Sequence, residues 1–283
     1  MTEPHQELPR VSLGGQLVPV LGQGTWMMGE RPERFREELS ALQLGLDLGM
    51  TLMDTAEMYG NGVSERLVGE AIRGRRDEVF LVSKVLPSHA SRAGTVQACH
   101  RSLRRLGTDY LDLYLLHWRG SVPLEETVEA LEGLKASGEI RAWGVSNFDP
   151  ADLRDLRRVP GGEGVATDQV RYHLTRRGIE LALLPESQAR RLPVMAYSPV
   201  EQGRLLRQPV LQEVARRHGA TPAQVALAWV LRQPGVIAIP KASREVHVRE
   251  NRAAVEVVLD AADLAQLDRA FPAPTRAVPL EML

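Results

Sequence analysis

Three short apolar runs each lead to a side chain that can hold or move a proton. Thr51-Leu52-Met53 leads to Asp54, with Tyr59 five positions further on. Phe80-Leu81-Val82-Ser83 leads to Lys84, and Leu113-Tyr114-Leu115-Leu116 leads to His117. An acid, a phenol, an ammonium and an imidazole are the parts of a site that delivers a proton to an oxygen gaining electrons. A free phenol has a pKa of about 10, too weak an acid to serve well near neutrality. A neighbouring ammonium stabilises phenolate and lowers that value, and Lys84 is the candidate for it. Asp54 would pair with Lys84 and keep it charged, and His117 would donate a hydrogen bond to a carbonyl oxygen. Such a site suits carbonyl reduction by a hydride from a cofactor and needs no nucleophile. Taken singly, each residue has a blander reading as a loop cap, a packing group or a solvated charge. Their coincidence at three successive candidate strand ends favours the joint reading.

The elements that would position them alternate along the chain. Val11-Ser12-Leu13 and Gln16 to Val20 flank Gly14-Gly15 as a hairpin. Leu21 to Thr25 reads as a short strand. Phe35, Leu39, Leu42 and Leu46 then share one helical face, closed by Gly49. After the Asp54 strand, Ser64 is placed to cap a helix carrying Leu67, Val68, Ala71 and Ile72, with Gly74 beyond it. Val79 to Ser83 is a strand, Thr95 to Leu106 a helix, Leu111 to Leu116 a strand, and Pro123 opens a helix that runs to Gly138. Ile140 to Val145 is a strand, Pro150 starts a helix, and Ala166 to Val170 and Pro193 to Tyr197 are strands. Thr221-Pro222 starts another helix and Val236 to Ile239 is the last strand. Glu245 to Ala254 and Ala261 to Ala270 close the chain as helices.

Eight short apolar strands alternating with helices over about 250 residues fit one (β/α)8 TIM barrel. Strands buried on both faces are expected to be apolar throughout. An open doubly wound sheet is the alternative. The amino-terminal hairpin has no βα role and is expected at the barrel bottom. No repeat or linker divides the chain, so residues 1–283 read as a single domain. In such a barrel the side chains just past the strand ends converge on one mouth.

Composition excludes several other classes. Of the residues 43% are hydrophobic, enough for a sizeable core, and 35 basic against 36 acidic residues leave a net charge of −1. That balance argues against nucleic acid or an anionic membrane as the main partner. No apolar run is long enough to span a bilayer, and the polar stretch Met1 to Arg10 lacks the apolar core of a secretory signal. One cysteine, Cys99, allows neither a disulfide framework nor a CxxC clip, and its place on an apolar helix face suggests packing. The histidines show no ligand spacing, so no metal is expected. A cytoplasmic monomer acting on a small carbonyl compound is the expectation. Gly22-Gln23-Gly24 is only half of a dinucleotide fingerprint, because Met27 stands at the third glycine position.

Six motifs together resemble the aldo-keto reductase family across nearly the whole chain. They are Gly22-Gln23-Gly24-Thr25-Trp26, Asp54-Thr55-Ala56-Glu57-Met58-Tyr59-Gly60, Leu115-Leu116-His117-Trp118, Gly144-Val145-Ser146-Asn147-Phe148, Ala196-Tyr197-Ser198-Pro199 and Ile239-Pro240-Lys241. A narrower resemblance, to bacterial members acting on methylglyoxal and related small aldehydes, rests on the compact length, Val82-Ser83-Lys84-Val85 and the short ending after Phe271-Pro272-Ala273-Pro274. The family resemblance implies the barrel, a catalytic tetrad of Asp54, Tyr59, Lys84 and His117, and a nicotinamide cofactor held without a Rossmann fold. It implies that Ser146, Asn147 and Gln169 hold the carboxamide and that Tyr197 stacks on the ring. It also places Thr25 and Trp26 beside the cofactor, Ser198 near the pyrophosphate, and Glu250 and Asn251 at the adenine end. The phosphate end departs from the family pattern, which often has a serine after Lys241 and an arginine six positions after it. Here those positions hold Ala242 and His247, so Ser243, Arg244 and Arg249 are the candidate substitutes and NADPH, rather than NADH, is the expected cofactor. Trp26 and Trp118 are candidate walls of the substrate pocket. Arg119 could attract an anionic substrate or be a solvated charge. The short loop after His117 and the short tail suggest an open mouth and loose selectivity. The competing function is a cofactor-sensing regulatory module built on the same barrel.

Overall fold

A computed structural model describes residues 7–276 and 278–283. The reading of the amino end rests in part on residues 1–6, which lie outside this range. Eight parallel strands hydrogen-bond in chain order: β3 (Gln23–Gly24), β4 (Leu52–Asp54), β5 (Phe80–Val85), β6 (Leu111–Leu116), β7 (Ile140–Ser146), β8 (Asp168–Arg171), β9 (Val194–Tyr197) and β10 (Val236–Ile239). The sheet closes on itself where Leu21 bridges Ala238. Gly22 N donates to Ala238 O at 2.9 Å and Gly24 N to Pro240 O at 3.0 Å. A Cβ on Gly24 would lie 2.6 Å from Ile239 O, and one on Gly22 would lie 2.8 Å from Leu52 O. These glycines therefore serve the close strand packing at the seam rather than a phosphate turn.

The interior of the barrel follows from the two-residue period of a strand. Leu52, Phe80, Val82, Leu113, Leu115, Ala142, Met195, Ile237 and Ile239 form the inner cluster. Their neighbours Met53, Leu81, Val85, Tyr114 and Leu116 belong to the larger layer between sheet and helices. A hairpin of β1 (Arg10–Leu13) and β2 (Gln16–Pro19) precedes the barrel. It plugs the bottom, because Leu13 and Val18 are buried in the inner cluster. Gly14, at the turn with φ +58°, comes so close to β7 that a Cβ would meet that of Ala142 at 2.6 Å.

Helices α1 (Phe35–Asp47), α2 (Val63–Ala71), α3 (Arg92–Leu106), α4 (Leu124–Ala136), α5 (Pro150–Arg158) and α6 (Leu183–Ala189) each follow one strand. Two helices follow β9, α7 (Pro209–Arg217) and α8 (Pro222–Leu231), and two follow β10, α9 (Glu245–Ala253) and α10 (Ala261–Ala270). Several ends carry the chemistry that sets them. Asp149 accepts from Ala151 N and Asp152 N to cap α5, with Pro150 at its first position. Thr221 and Gln224 form a capping box on α8. The structure departs from the sequence reading at α2, whose cap is Gly62 in a left-handed conformation. Ser64 is buried inside the first turn, where its hydroxyl lies 2.8 Å from Thr25 Oγ1 and 3.0 Å from Thr25 O. Neither α6 nor α7 was expected. The first has only seven residues, too few for a repeating one-face pattern. The second, with Leu211, Val214 and Ala215 buried, is hidden by an expectation of one helix per strand. Strand β5 also runs two residues further than expected, so Lys84 lies within it.

Candidate active site

The inner faces of the strands carry the polar groups upward in register. Asp54 continues the inward positions from Leu52, Lys84 those from Phe80 and Val82, and His117 those from Leu113 and Leu115. One alternation thus fills the barrel with apolar side chains and ends it with ionisable ones. Tyr59 arrives differently, on a turn spanning Tyr59–Gly62 in which Gly60, Asn61 and Gly62 all have positive φ. That reversal lets the loop after β4 fold back over the barrel mouth.

Lys84 is fully buried and is the hub. Its Nζ donates to Asp54 Oδ1 at 2.8 Å, to Asp54 Oδ2 at 2.7 Å and to Thr55 O at 2.8 Å, and stands 3.3 Å from the Tyr59 hydroxyl. Gln169 Nε2 donates to Asp54 Oδ1 at 2.7 Å from the opposite side of the barrel. His117 lies edge-on to Tyr59, with ring centroids 5.8 Å apart, and Trp118 packs against His117 at 5.0 Å. Behind Tyr59, the buried Glu57 carboxylate accepts from Leu86 N at 2.9 Å and contacts His89 Nδ1 at 2.8 Å. That tether fixes the Tyr59 loop to the end of β5.

The electrostatics correct one expectation. The Lys84 ammonium does not make the resting phenol more acidic than a free one. Burial, and then the charge of Asp54, push the Tyr59 pKa well above its ordinary value of 10. The Lys84 amine is itself pulled down by burial and held up by Asp54. Its charge is thus spent on the carboxylate, and its contact with the neutral phenol is long. Burial, reinforced by the charge of Lys84, depresses His117 to about 3, so the imidazole is neutral at physiological pH.

A cleft of about 710 Å³ opens beside these groups. Asp54, Tyr59 and His117 lie at its base, and Thr25, Trp26, Trp118, Ser146, Asn147, Gln169, Tyr197 and Ser198 line it, as do Lys241, Ser243, Glu250 and Asn251 further along. The polar wall is pre-set. Ser146 Oγ donates to Gln169 O at 2.8 Å, Asn147 Nδ2 to His117 O at 3.1 Å, and Tyr197 OH to Asn147 Oδ1 at 2.9 Å. Asn147 and Ser198 both hold left-handed backbone, at φ 59° and 50°, a strained choice that recurs at functional sites. Arg244 and Arg249 are exposed and are not among the lining residues, although Arg244 contacts His247, which is. Arg119 stands outside the cleft, bonded to Asp152 at 2.5 Å and Asp155 at 3.0 Å. Cys99 is buried, and burial pushes its thiol up to about 12.

Several lining residues were not anticipated. Met27, Met58 and Leu206 add apolar wall, and Gln202, Gly203 and Thr221 come from the long segment after β9. Met282 and Leu283 also line the cleft, so the short tail narrows the mouth that its length had suggested was open. Ion pairing of Arg176 with Glu281 and burial of Phe271 tie the tail down. Arg34, in the loop after β3, donates to Ser243 Oγ at 3.0 Å. Nothing in the local sequence marks it, because the contact spans 209 positions.

Known proteins resemble the chain in sequence and in overall fold. A sequence model of the aldo/keto reductase family matches residues 20–271. Methylglyoxal reductase YeaE of Escherichia coli (strain K12) is 54% identical over 275 residues, covering 95% of this chain and 97% of that protein. Glyoxal reductase of Bacillus subtilis (strain 168) is 35% identical, covering 90% and 89%. The crystal structure of an aldo/keto reductase from Klebsiella pneumoniae, in complex with NADP and acetate, superposes with a TM-score of 0.96 at 53% identity, covering 98% and 100% of the two chains. With the barrel and these matches in agreement, the chain belongs to the aldo/keto reductase family and is an oxidoreductase.

Proposed function

We propose that this enzyme reduces small aldehydes and ketones of the methylglyoxal kind to alcohols with NADPH, and that Tyr59 is the proton donor. The observation that carries the proposal is the Tyr59 hydroxyl, 3.3 Å from Lys84 Nζ and lining a cleft of about 710 Å³ that runs on to Lys241, Glu250 and Asn251. The residues along that cleft suit the cofactor in order. Ser146, Asn147 and Gln169 offer amide and hydroxyl groups to a carboxamide. Tyr197 presents a ring for stacking and is held by Asn147. Ser198 sits where a pyrophosphate would pass, and Lys241 and Ser243 offer donors to a further phosphate. Glu250 and Asn251 suit the polar edge of an adenine. When bound, the dihydronicotinamide supplies hydride to the carbonyl carbon.

The chain's own groups manage the oxygen. His117, kept neutral by burial, has one N–H to donate, and it orients the carbonyl oxygen toward Tyr59. Tyr59 gives its proton as negative charge builds on that oxygen. An alkoxide is a far stronger base than a phenolate, so the transfer runs downhill even from a phenol above 10. Lys84 then faces a phenolate at the same site. Trp26, Trp118, Met58 and Leu206 wall the substrate space, which favours small compounds. A relative at 54% identity named as a methylglyoxal reductase, and another named as a glyoxal reductase, support that substrate class. Structures of Klebsiella pneumoniae aldo/keto reductases with NADP or NADPH, both 53% identical, support the cofactor. No helix among the described residues is long and apolar enough to cross a membrane. We further propose a cytoplasmic monomer in which residues 1–283 form one domain.

The test is Tyr59→Phe. Turnover should fall by about 10²- to 10⁴-fold, the share of a general acid, with NADPH affinity retained. Unchanged turnover would remove Tyr59 from its role. Tight NADPH binding by the wild-type protein without turnover of any small carbonyl would favour the cofactor-sensing module instead.

A further inference from the structure

The loop after the last strand supplies a single long cation to the cleft, Lys241. Arg244 is engaged with His247, and Arg249 is exposed and outside the lining. A second cation, itself outside the lining, reaches the lining residue Ser243 from the far end of the sequence. Arg34 Nη2 donates to Ser243 Oγ at 3.0 Å, and Lys241 Nζ stands 3.5 Å from that same oxygen. Two cations thus converge on one neutral hydroxyl rather than on a carboxylate. The nearby carboxylates are committed elsewhere. Glu37 pairs with Arg34 Nε at 3.2 Å, leaving Nη2 to Ser243, and Glu38 is buried and bound to Gly29 N at 2.7 Å. The Lys241 amine is lowered by burial, held up in part by Glu38, and lowered again by Arg34 and Arg31.

We propose that Arg34 is the specificity residue for the 2′-phosphate of the cofactor: its guanidinium and Lys241 clamp that phosphate from two loops, across the barrel seam where β3 meets β10. The inference rests on the NADPH reading above and names the residue that would enforce it. An anion at the Ser243 oxygen gains the fork of donors that a guanidinium presents to phosphate and neutralises the convergent pair. NADH, with a 2′-hydroxyl there, leaves the two cations facing each other. The distinction between the nucleotides would therefore lie in a residue 207 positions away from Lys241 in sequence. Arg34 makes no side-chain capping bond to α1, and its partner Glu37 is an exposed residue in the first turn of that helix, so its removal should not disturb the fold.

The test measures binding alone. Isothermal titration of NADPH, NADH, adenosine 2′,5′-bisphosphate and 5′-AMP is compared for the wild type, Arg34→Ala and Arg34→Lys. Arg34→Ala should weaken NADPH and the bisphosphate by about 10- to 100-fold, the range for losing charge-assisted hydrogen bonds, and leave NADH and 5′-AMP within twofold. Arg34→Lys should recover part of the loss. Equal weakening of all four ligands, or none, overturns the assignment. A wild-type preference for NADPH that survives Arg34→Ala intact overturns the role of Arg34 alone. A wild-type protein that binds both dinucleotides equally overturns the cofactor reading as well, before any variant is made.

Discussion

Replacing Lys84 with methionine tests whether the ion pair at the base of the barrel mouth is structural, chemical or both. Lys84 is completely buried, and its ammonium touches both oxygens of Asp54 within 2.8 Å and the Thr55 carbonyl at 2.8 Å. Lys84→Met leaves the Asp54 carboxylate buried with one remaining donor, Gln169. An uncompensated buried charge of this kind costs about 3–5 kcal/mol, against a total of about 5–15 kcal/mol for a domain. Adding Asp54→Asn removes the stranded charge and keeps an acceptor for Gln169. The double variant should therefore recover most of the loss and be about 1–2 kcal/mol less stable than wild type, the residue of unmade hydrogen bonds. Urea unfolding followed by tryptophan fluorescence gives the stabilities, and aldehyde-dependent NADPH oxidation gives the rates. Turnover should be lost in both variants. If Lys84→Met is as stable as wild type, or if the double variant is no more stable than the single one, the charge on Asp54 is not held as described. If the double variant regains turnover with stability, the ammonium has no part in the chemistry.

Two further expectations concern pH. For reduction, kcat should be flat from about pH 5 to 9, because His117 is neutral above its value near 3 and Tyr59 stays protonated; an inflection near 6.5 that disappears in His117→Gln would show that the imidazole titrates during turnover. Stability should fall in acid. His117 and His173 are both held near 3, His173 by burial and then by Arg171, Arg176 and Arg204. Each is depressed in the folded state, so its contribution is full above about pH 6.5 and lost as pH falls toward 3. Linkage from an unfolded value of about 6.5 gives a loss of roughly 2 kcal/mol per histidine at pH 5. Urea midpoints at pH 7 and 5 measure it, and a His173→Gln variant that loses as much as wild type would contradict the burial of that ring.

What could be read from sequence was what repeats or what is local. Apolar runs ending on Asp54, Lys84 and His117 announce themselves because the strand period that builds the core also aims the last residue inward. Leu111–Leu116 and Val236–Ile239 have the bounds expected of them for the same reason, and Ala261–Ala270 does because Asp260 caps it locally. Ser64 was misassigned because a serine before an apolar run has the composition of a cap, and only the fold reveals that its hydroxyl is wanted by Thr25. Arg34 and the Gln169–Asp54 bond, which spans 115 positions, have no local signal at all. Closure of the barrel creates them. The direction of the Tyr59 shift has no local signal for a related reason: spacing places an ammonium near the phenol but does not show that the same ammonium is matched by a carboxylate in a buried site.

That mismatch bears on how Lys84 can act. In the resting site its contact with Tyr59 is an ordinary long hydrogen bond to a neutral oxygen, and the ammonium's charge is balanced by Asp54. As the proton leaves Tyr59 the same contact becomes one between opposite charges, and in a buried setting that change is worth far more than it would be in water. The stabilisation is absent with the phenol and present with the phenolate, which is the condition for an interaction to lower a barrier rather than deepen binding. The same attraction favours ionisation of the phenol at rest, and burial outweighs it, so the resting site keeps its proton. Asp54 adds to the effect of burial on the phenol and holds up the Lys84 amine against its own desolvation. On this view the carboxylate is no spectator: Asp54→Asn alone should leave a site in which Lys84 is free to release its own proton, and the reaction's pH profile, flat in wild type, should acquire a descending limb where that amine titrates.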